Sequence, residues 1–228
     1  PIFAVGFLMT DALTGIAPTY PDITFGGIDI FMDPTIENVV GLNFKEQETS
    51  YLAGVVSGML TTMSDVDERL NDDNVIGFIG GMEVPAVVKF EAGYIAGAKS
   101  VDPDVEVLTT YVGSFTDQQK GKEAALAQIE QGADIIFAAA GGTGTGSFEA
   151  CKESGALFIG VDADQYETLT DAGDTIITSA IKRVDNAVFQ TVQNAVDGTA
   201  QGNENVLFGL AEEGVGLAPW HDWEGKIP

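Results

Sequence analysis

The stretch that decides the fold is residues 132–162, GADIIFAAAGGTGTGSFEACKESGALFIGVD. Two apolar runs rich in Ile, Val and Phe, at 134–140 and 157–162, flank a segment of helical character. Short runs that are hydrophobic at nearly every position are typical of parallel strands buried on both faces. The stretch therefore predicts a β-α-β unit of a parallel sheet.

The same alternation continues in both directions along the 228 residues, a length sufficient for two lobes. Apolar stripes at helical spacing predict helices around residues 51–60, 87–98, 125–129 and 184–192. The fold class is α/β, and in such sheets ligands bind beyond the carboxyl ends of the strands. The other predicted strands are 2–7, 23–29, 39–44, 75–80, 105–112 and 175–181.

Charge limits the choice of partners. The chain has 35 acidic and 10 basic residues, a formal net charge of -25. So few cations cannot form a positive surface for nucleic acid, and anionic membrane surfaces are disfavoured for the same reason. We expect a solvated acidic surface. Because the chain contains so little lysine, we also expect a high-salt habitat, in which ions screen the repulsion among the acidic groups. One cysteine, Cys151, excludes an internal disulfide.

The glycine run at 141–146, GGTGTG, is the motif most suggestive of an enzyme. It follows a strand, precedes a helix and lies about 20 residues before Asp162, as in a dinucleotide-binding fingerprint. The third glycine of that fingerprint would fall on Ser147, so the match fails in detail. A dehydrogenase stays as one alternative, and a tight turn that a ligand approaches closely is the other.

Other catalytic chemistries have less support. The one histidine is His221 near the C-terminus, no GxSxG motif occurs, and one Cys with one His makes no zinc set. The acid pair Asp162 and Asp164 alone is weak support for glycoside hydrolysis on so acidic a chain. We therefore expect a binding protein that is not an enzyme and needs no cofactor or metal.

The strand ends carry groups that suit a small polar ligand. Asp29 and Asp162 end two predicted strands, and a carboxylate there can accept hydrogen bonds from neighbouring hydroxyls. Lys182 can donate to a hydroxyl and offset the negative charge. Phe7 and Phe137 could stack on a ring, although the pattern alone is more typical of core residues.

A set of motifs in order resembles the basic membrane lipoprotein (BMP) family of nucleoside-binding proteins. These are substrate-binding components of ABC importers with the type I periplasmic-binding fold. The resemblance runs from about residue 3 to about residue 219. The motifs are VGFLMTDAL, FGGID, NFKEQETSYLAG, GFIGGMEVPAVVKFEAGYIAG, YVGSFTDQQKGKEAA, GADIIFAAAGGTGTGSFEA, IGVDADQY, TSAIKRVD and LFGLAEEGVGLA.

The resemblance implies roles for particular residues. Asp29 looks like the aspartate that reads the base, Phe137 like the residue that stacks on the purine, and Asp162 with Lys182 like the pair that holds the ribose hydroxyls. The remaining residues implied at the site are Gly6, Phe7, Gly81, Met82 and Gly141. The implied ligand is a purine nucleoside, either guanosine, inosine or adenosine. The implied partner is an ABC permease, and the protein is expected to be a monomer.

The resemblance also implies two Rossmann-like lobes joined by a three-segment hinge. The N-lobe would comprise residues 1–44 and 183–204, and the C-lobe residues 45–182 and 205–228. The family's DKSFNQ-like loop has no counterpart here, so we expect the N-terminal part of the first lobe to lie outside this chain. An extracytoplasmic location with a lipid anchor in that missing part is implied. A sensor, or a sugar-binding protein of the same fold, remains the alternative.

Overall fold

The computed structural model describes residues 1–33, 35–200 and 202–227. The chain divides into two compact units and passes from one to the other three times. The first unit comprises Pro1–Lys45 and Arg183–Val215, and the second comprises Glu46–Lys182 and Gly216–Pro228. Among the described residues, no helix combines the length and the hydrophobicity needed to cross a membrane.

The first unit is built on a four-stranded sheet. The strands β1 (Ile2–Val5), β2 (Phe25–Ile28), β3 (Val39–Phe44) and β9 (Glu204–Phe208) lie side by side in that order and are parallel. Alternate side chains of β3 enter two different cores. Val39 packs with Leu13 of α1 (Thr10–Ile16), whereas Val40 and Leu42 pack with Ala187 of α7 (Val184–Val196). Both faces of the sheet are thus covered, as its continuous hydrophobicity predicts.

The second unit is built on a six-stranded sheet. Its strands are β4 (Val75–Gly80), β5 (Glu106–Tyr111), β6 (Ala133–Ala139), β7 (Leu157–Asp162), β8 (Ile176–Lys182) and β10 (Val215–Leu217). They lie side by side in the order β10-β8-β7-β6-β4-β5. Strands β4 to β8 are parallel to their neighbours, so their carboxyl ends share one edge. Helices α2 (Glu46–Leu60) and α3 (Pro85–Val101) contribute to the core on one face. Helices α4 (Gln118–Ile129) and α5 (Gly142–Ser154) contribute to the other, and the short α6 (Gln165–Thr168) follows β7.

All eight strands predicted from the sequence are present, within two residues at each end. The predicted 2–7 and 23–29 are shorter in the structure because the chain turns at Gly6 and again at Asp29, both of which have a positive φ. The sequence did not predict β9 and β10. Strand β9 carries polar residues at its start, and β10 has only three residues, so neither has the apolar run that marks the others.

The third boundary between the lobes is corrected by the structure. We predicted that residues 205–228 return to the C-lobe, but residues 205–215 belong to the first unit. The physical reason is the pairing of β9 with β3, in which Asn205 lies opposite Gly41 and Phe208 opposite Phe44. The other two divisions fall after Lys45 and after Lys182.

The glycine run forms the start of a helix. Residues 142–146 already belong to α5, and only Gly141 before it has a positive φ, of 55°. A β-carbon on Gly146 would collide with the backbone of Gln118, and one on Gly121 with the backbone of Thr143. Gly146 and Gly121 therefore let α4 and α5 pack closely, a role that requires no bound nucleotide.

Candidate functional site

The carboxyl edge of the second sheet brings together the polar groups that the sequence places after separate strands. Asp162 is the last residue of β7, and Lys182 is the last residue of the neighbouring β8. Lys182 Nζ lies 3.9 Å from Asp162 Oδ1. The ammonium is buried, with 6% of its side chain exposed, whereas 58% of the Asp162 side chain is exposed. A buried cation beside an accessible carboxylate is a pair that can meet a ligand from solvent.

The backbone at Asp162 directs its side chain away from the regular strand. Its φ is 65°, in the left-handed region that residues other than glycine seldom adopt. Aspartate tolerates this region better than most residues, but strained conformations persist only where the surrounding structure enforces them. The turn is fixed by a hydrogen bond from the N–H of Ala163 to the carbonyl of Val161 at 2.8 Å.

A second carboxylate, Glu46, completes this cluster from the first residue of α2. Glu46 Oε1 lies 3.8 Å from Lys182 Nζ, and Glu46 Oε2 accepts a hydrogen bond from Lys89 Nζ at 3.1 Å. Its side chain is 2% exposed. Burial raises the pKa of the Glu46 carboxyl, and the charges of Lys182 and Lys89 offset part of that shift. Sequence reasoning missed this residue.

An aromatic ring, Phe115, lies at the same edge. It follows β5 and is half-buried. A β-carbon on Gly81 would collide with the Phe115 ring, and one on Gly141 would lie 3.5 Å from the Phe115 Cβ. The ring thus occupies the space that glycines leave after β4 and β6, and part of it stays accessible.

The loop that carries Phe115 is held rigidly by hydrogen bonds. The Phe115 carbonyl accepts from the N–H of Thr143 at 3.2 Å, and the Ser114 carbonyl accepts from the Thr143 hydroxyl at 3.0 Å. The Ser114 hydroxyl accepts from the N–H groups of Thr116 and Asp117. A fixed ring costs little entropy when it stacks on a ligand.

Phe137, which we predicted to stack on the purine, lies in the core. Its side chain is fully buried, with its ring 5.5 Å from Phe78, 5.9 Å from Phe90 and 5.2 Å from Tyr94 between centroids. The residue lies two positions before the end of β6, and its ring packs under the helices instead of reaching beyond the strand. It offers no face to a ligand, so the prediction for Phe137 is corrected in favour of a core role.

The other residues implied in this unit line the edge. Gly81 follows β4, and its N–H donates to the carbonyl of Ala139 at 3.1 Å. Met82 comes next and is 37% exposed. Gly141 is exposed at the turn into α5. The described residues contain no group of three or more His, Cys, Asp or Glu side chains that could hold a metal ion.

The first unit repeats the same arrangement of an acid after a strand. Asp29 follows β2 with a φ of 57°, and its N–H donates to the carbonyl of Leu42 at 2.9 Å. Gly6 follows β1 with a φ of 91°, and its N–H donates to the carbonyl of Ile28. Phe7 comes next, half-buried, in a 3₁₀ turn. These three residues therefore lie at the carboxyl ends of two paired strands.

The sequence matches a family model over residues 2–224, and the family is described as the Bmp family of PnrA-like ABC transporter substrate-binding proteins. The chain belongs to this Bmp family. The resemblance that the motifs suggested is thereby confirmed.

Individual relatives and a solved structure support membership of the Bmp family. The chain is 36% identical to the ABC transporter nucleoside-binding protein BmpA of Lactococcus lactis subsp. cremoris, over 95% of this chain and 62% of BmpA. It is 38% identical to an uncharacterized lipoprotein of Pyrococcus abyssi, over 93% of this chain and 52% of that protein. The crystal structure of an ABC transporter solute-binding protein from Aeropyrum pernix K1 superimposes with a TM-score of 0.82 at 31% identity, covering 99% of this chain and 65% of that one.

These comparisons establish the fold as that of the solute-binding proteins, the type I periplasmic-binding fold. The chain spans between about half and two thirds of the length of these proteins.

Two site residues of this Bmp-family chain could have been found from the sequence. Phe115 lies four residues after β5, which corresponds to the predicted strand 105–112. Glu46 lies two residues after β3, at the start of a helix. The signal for both was their position just beyond a predicted strand, which is the rule that found Asp29, Asp162 and Lys182.

Proposed function

We propose that the protein is an extracytoplasmic, lipid-anchored solute-binding protein that captures a purine nucleoside and delivers it to an ABC importer. Membership of the Bmp family supports the transporter class. The nucleoside-binding protein BmpA and the lipoprotein of Pyrococcus abyssi, both relatives, support a nucleoside ligand and a lipid anchor. No covalent step is needed, since binding and release are the whole task.

The observation that carries the proposal is the combination of Asp162, Lys182 and Phe115 at one sheet edge. A carboxylate and an ammonium 3.9 Å apart can bind two adjacent hydroxyls, because the carboxylate accepts and the ammonium donates. Phe115 lies by the ends of β4 and β6, while Asp162 ends β7. Neighbouring strands are about 4.8 Å apart, so the ring and the acid are about two strand spacings apart. That separation suits a base linked to its ribose.

We assign the roles accordingly. Phe115 replaces Phe137 as the ring that stacks on the base, and Asp162 with Lys182 binds the ribose hydroxyls. Asp29, with Gly6 and Phe7 near it on the paired strands, is the group of the first unit that we assign to recognition of the base. Gly81, Met82 and Gly141 shape the surface beside the ring.

Calorimetric titration of the intact protein in high salt tests the proposal. The ligands are guanosine, inosine, adenosine, cytidine, ribose and NAD, added after removal of any ligand carried through purification. We expect tight binding of at least one purine nucleoside and weak binding of cytidine and ribose. Binding of ribose with no response to nucleosides would replace the proposal with a sugar-binding protein. Turnover of NAD would contradict it.

Delivery is tested in cells. Deletion of the gene should abolish uptake of the radiolabelled nucleoside that binds best, and the wild-type gene should restore it. The Asp162→Ala variant, which leaves ribose hydroxyls without their acceptor, should bind the nucleoside more weakly by several kcal/mol (roughly 2–4) and should not restore uptake. Normal uptake in the deletion strain would refute the transport role while leaving binding intact.

A further inference from the structure

Glu46 is a buried carboxylate whose role the proposed function does not explain. It lies at the first residue of α2, with 2% of its side chain exposed and two lysines within 4 Å. Removing an ionised carboxylate from water is costly unless its charge is balanced. Lys89 and Lys182 supply that balance, so the Glu46 carboxylate can stay ionised inside the protein.

Lys182 needs a counter-ion that water does not screen. Its ammonium is nearly as buried as Glu46, and desolvation alone would favour the neutral amine. Asp162 is at almost the same distance, 3.9 Å against 3.8 Å for Glu46. However, Asp162 is more than half exposed, so solvent weakens its attraction for the lysine. The buried carboxylate is therefore the stronger partner.

Lys89 balances Glu46 from the opposite side. It donates to Glu46 Oε2 at 3.1 Å, while Lys182 faces Oε1 at 3.8 Å. Each oxygen of the carboxylate thus faces a different lysine, which fixes the orientation of the group. The Lys89 side chain is 43% exposed, so it can hydrate its own charge and leaves Lys182 as the lysine that depends most on Glu46.

We propose that Glu46 is a positioning residue that holds the Lys182 ammonium charged at the sheet edge, where it can donate to a ligand hydroxyl. The inference rests on the proposed function, because it concerns the pair assigned to the ribose. It adds a residue with no ligand contact of its own to the determinants of ribose recognition.

The test compares Glu46→Gln with Glu48→Gln in the intact protein. Glu48 lies in the same first turn of α2 and is a matched control for the loss of one charge. The ligands are inosine and 2′,3′-dideoxyinosine, or the corresponding pair for whichever purine nucleoside binds best. We expect Glu46→Gln to weaken inosine binding by about 10- to 100-fold, as for loss of a hydrogen bond from a charged donor. The dideoxynucleoside, which lacks the 2′- and 3′-hydroxyls assigned to Asp162 and Lys182, should bind both variants and the wild type equally.

A Glu46→Asp variant keeps the charge and shortens the side chain, and we expect it to restore part of the inosine affinity. An equal loss for both ligands in Glu46→Gln would show a merely structural role and overturn the inference. Unchanged inosine affinity in that variant would overturn it as well.

A ligand-free measurement separates this inference from the proposed function. NMR titration of the Lys182 side chain should show a lower pKa in Glu46→Gln than in the wild type, and a smaller change in Asp162→Asn. If the wild type bound no nucleoside, the proposed function would fail while the titration still decided whether Glu46 stabilises the ammonium. An unchanged Lys182 pKa in Glu46→Gln would refute the positioning role.

Discussion

At the scale of single residues, two phenylalanines of the second unit have opposite environments. Phe137 is enclosed by three aromatic rings and is fully buried. Phe115 rests on glycine backbone and keeps part of its ring accessible. Full burial of Phe137 contributes to stability, whereas Phe115 is only half-buried, so substitution of each residue should separate stability from binding.

We predict that Phe115→Ala weakens purine-nucleoside binding by about 1–3 kcal/mol, the range measured for stacking of a base on an aromatic side chain. The Phe115→Ala variant should lose less unfolding free energy than Phe137→Ala, because Phe115 is half-buried beside the core whereas Phe137 is fully buried in it. Phe137→Ala is the matched comparison and should lose about 3–5 kcal/mol of unfolding free energy. Calorimetry and urea unfolding measure the two quantities. Undiminished binding in Phe115→Ala would remove this ring from the site.

Asp134 is a residue whose charge opposes folding at neutral pH. It is 2% exposed and accepts hydrogen bonds from the Thr61 hydroxyl at 2.9 Å and the Asn71 N–H at 3.0 Å. Burial raises the pKa of its carboxyl to about 7, from the ordinary 3.8 that applies in the unfolded chain. The folded state therefore binds this proton more tightly than the unfolded state. The resulting stability is fully present below about pH 4 and is lost as the pH rises to about 7.

We predict that Asp134→Asn is more stable than the wild type at pH 8 by about 2 kcal/mol or more, given about 1.4 kcal/mol for each unit of pKa shift. The advantage should shrink or reverse at pH 5, where the wild-type carboxyl is protonated. Urea unfolding at both pH values measures it. Asp65→Asn, which removes an exposed charge, should leave the pH dependence as it is. A parallel pH dependence in Asp134→Asn and wild type would show that Asp134 does not titrate with a raised pKa.

At the scale of elements, the helix pair α2–α3 depends on glycines at the contact. Gly54 and Gly58 of α2 face the backbone of Tyr94 and Ala98. Gly97 of α3 faces the backbone of Tyr51, whose carbonyl carbon would lie 2.8 Å from an added β-carbon. Because an added β-carbon at these glycines would meet backbone atoms, no flexible side chain could move aside to make room for it. The close approach of these helices is therefore fixed by residue size.

We predict that Gly97→Ala loses about 1–3 kcal/mol of unfolding free energy through overpacking. This should hold although alanine favours a helix over glycine by about 1 kcal/mol. Gly144→Ala in α5 is the control, because its β-carbon would make an ordinary contact of 3.5 Å with Ala138. That variant should be as stable as the wild type or more so. Denaturant unfolding measures the unfolding free energy of both variants. Equal stability of the two would contradict the steric explanation.

The elements also show what sequence reasoning could reach. Continuous apolar runs located eight strands, since burial on both faces leaves a strong pattern, and the rule of strand ends found Asp29, Asp162 and Lys182. Strand β9 was not predicted because it has no continuous apolar run of its own. It forms by pairing with β3. Phe137 was misassigned because the family resemblance was given more weight than its apolar pattern, which is typical of a core residue, and the ring is fully buried. The ion pairs of Glu46 with two lysines depend on tertiary packing, which no local pattern encodes.

At the scale of the whole molecule, the main feature is the excess of acidic over basic residues, whose effect on stability is spread over many charges. A net charge of -25 on 228 residues implies mutual repulsion in the compact state. Salt bridges offset only part of it, because 10 basic residues face 35 acidic ones. Many of the acids are exposed, for example Asp65, Glu68 and Asp72 between α2 and β4. Repulsion among such charges is screened over about 10 Å at 0.1 M salt and about 3 Å at 1 M.

We therefore predict that the melting temperature of the intact protein rises steeply as NaCl is increased from 0.05 M to 1 M. KCl at equal ionic strength should give the same increase, because screening depends on ionic strength and not on which cation supplies it. The triple variant Asp65→Asn, Glu68→Gln, Asp72→Asn removes three exposed charges from one segment, and its melting temperature should be higher at low salt and depend less on added salt. A replacement of three exposed neutral residues, Thr62→Ser, Ser64→Thr and Thr168→Ser, is the control that leaves charge unchanged. A melting temperature that is independent of salt would show that the acidic surface is already fully hydrated and balanced in dilute buffer, and the high-salt hypothesis would then be withdrawn.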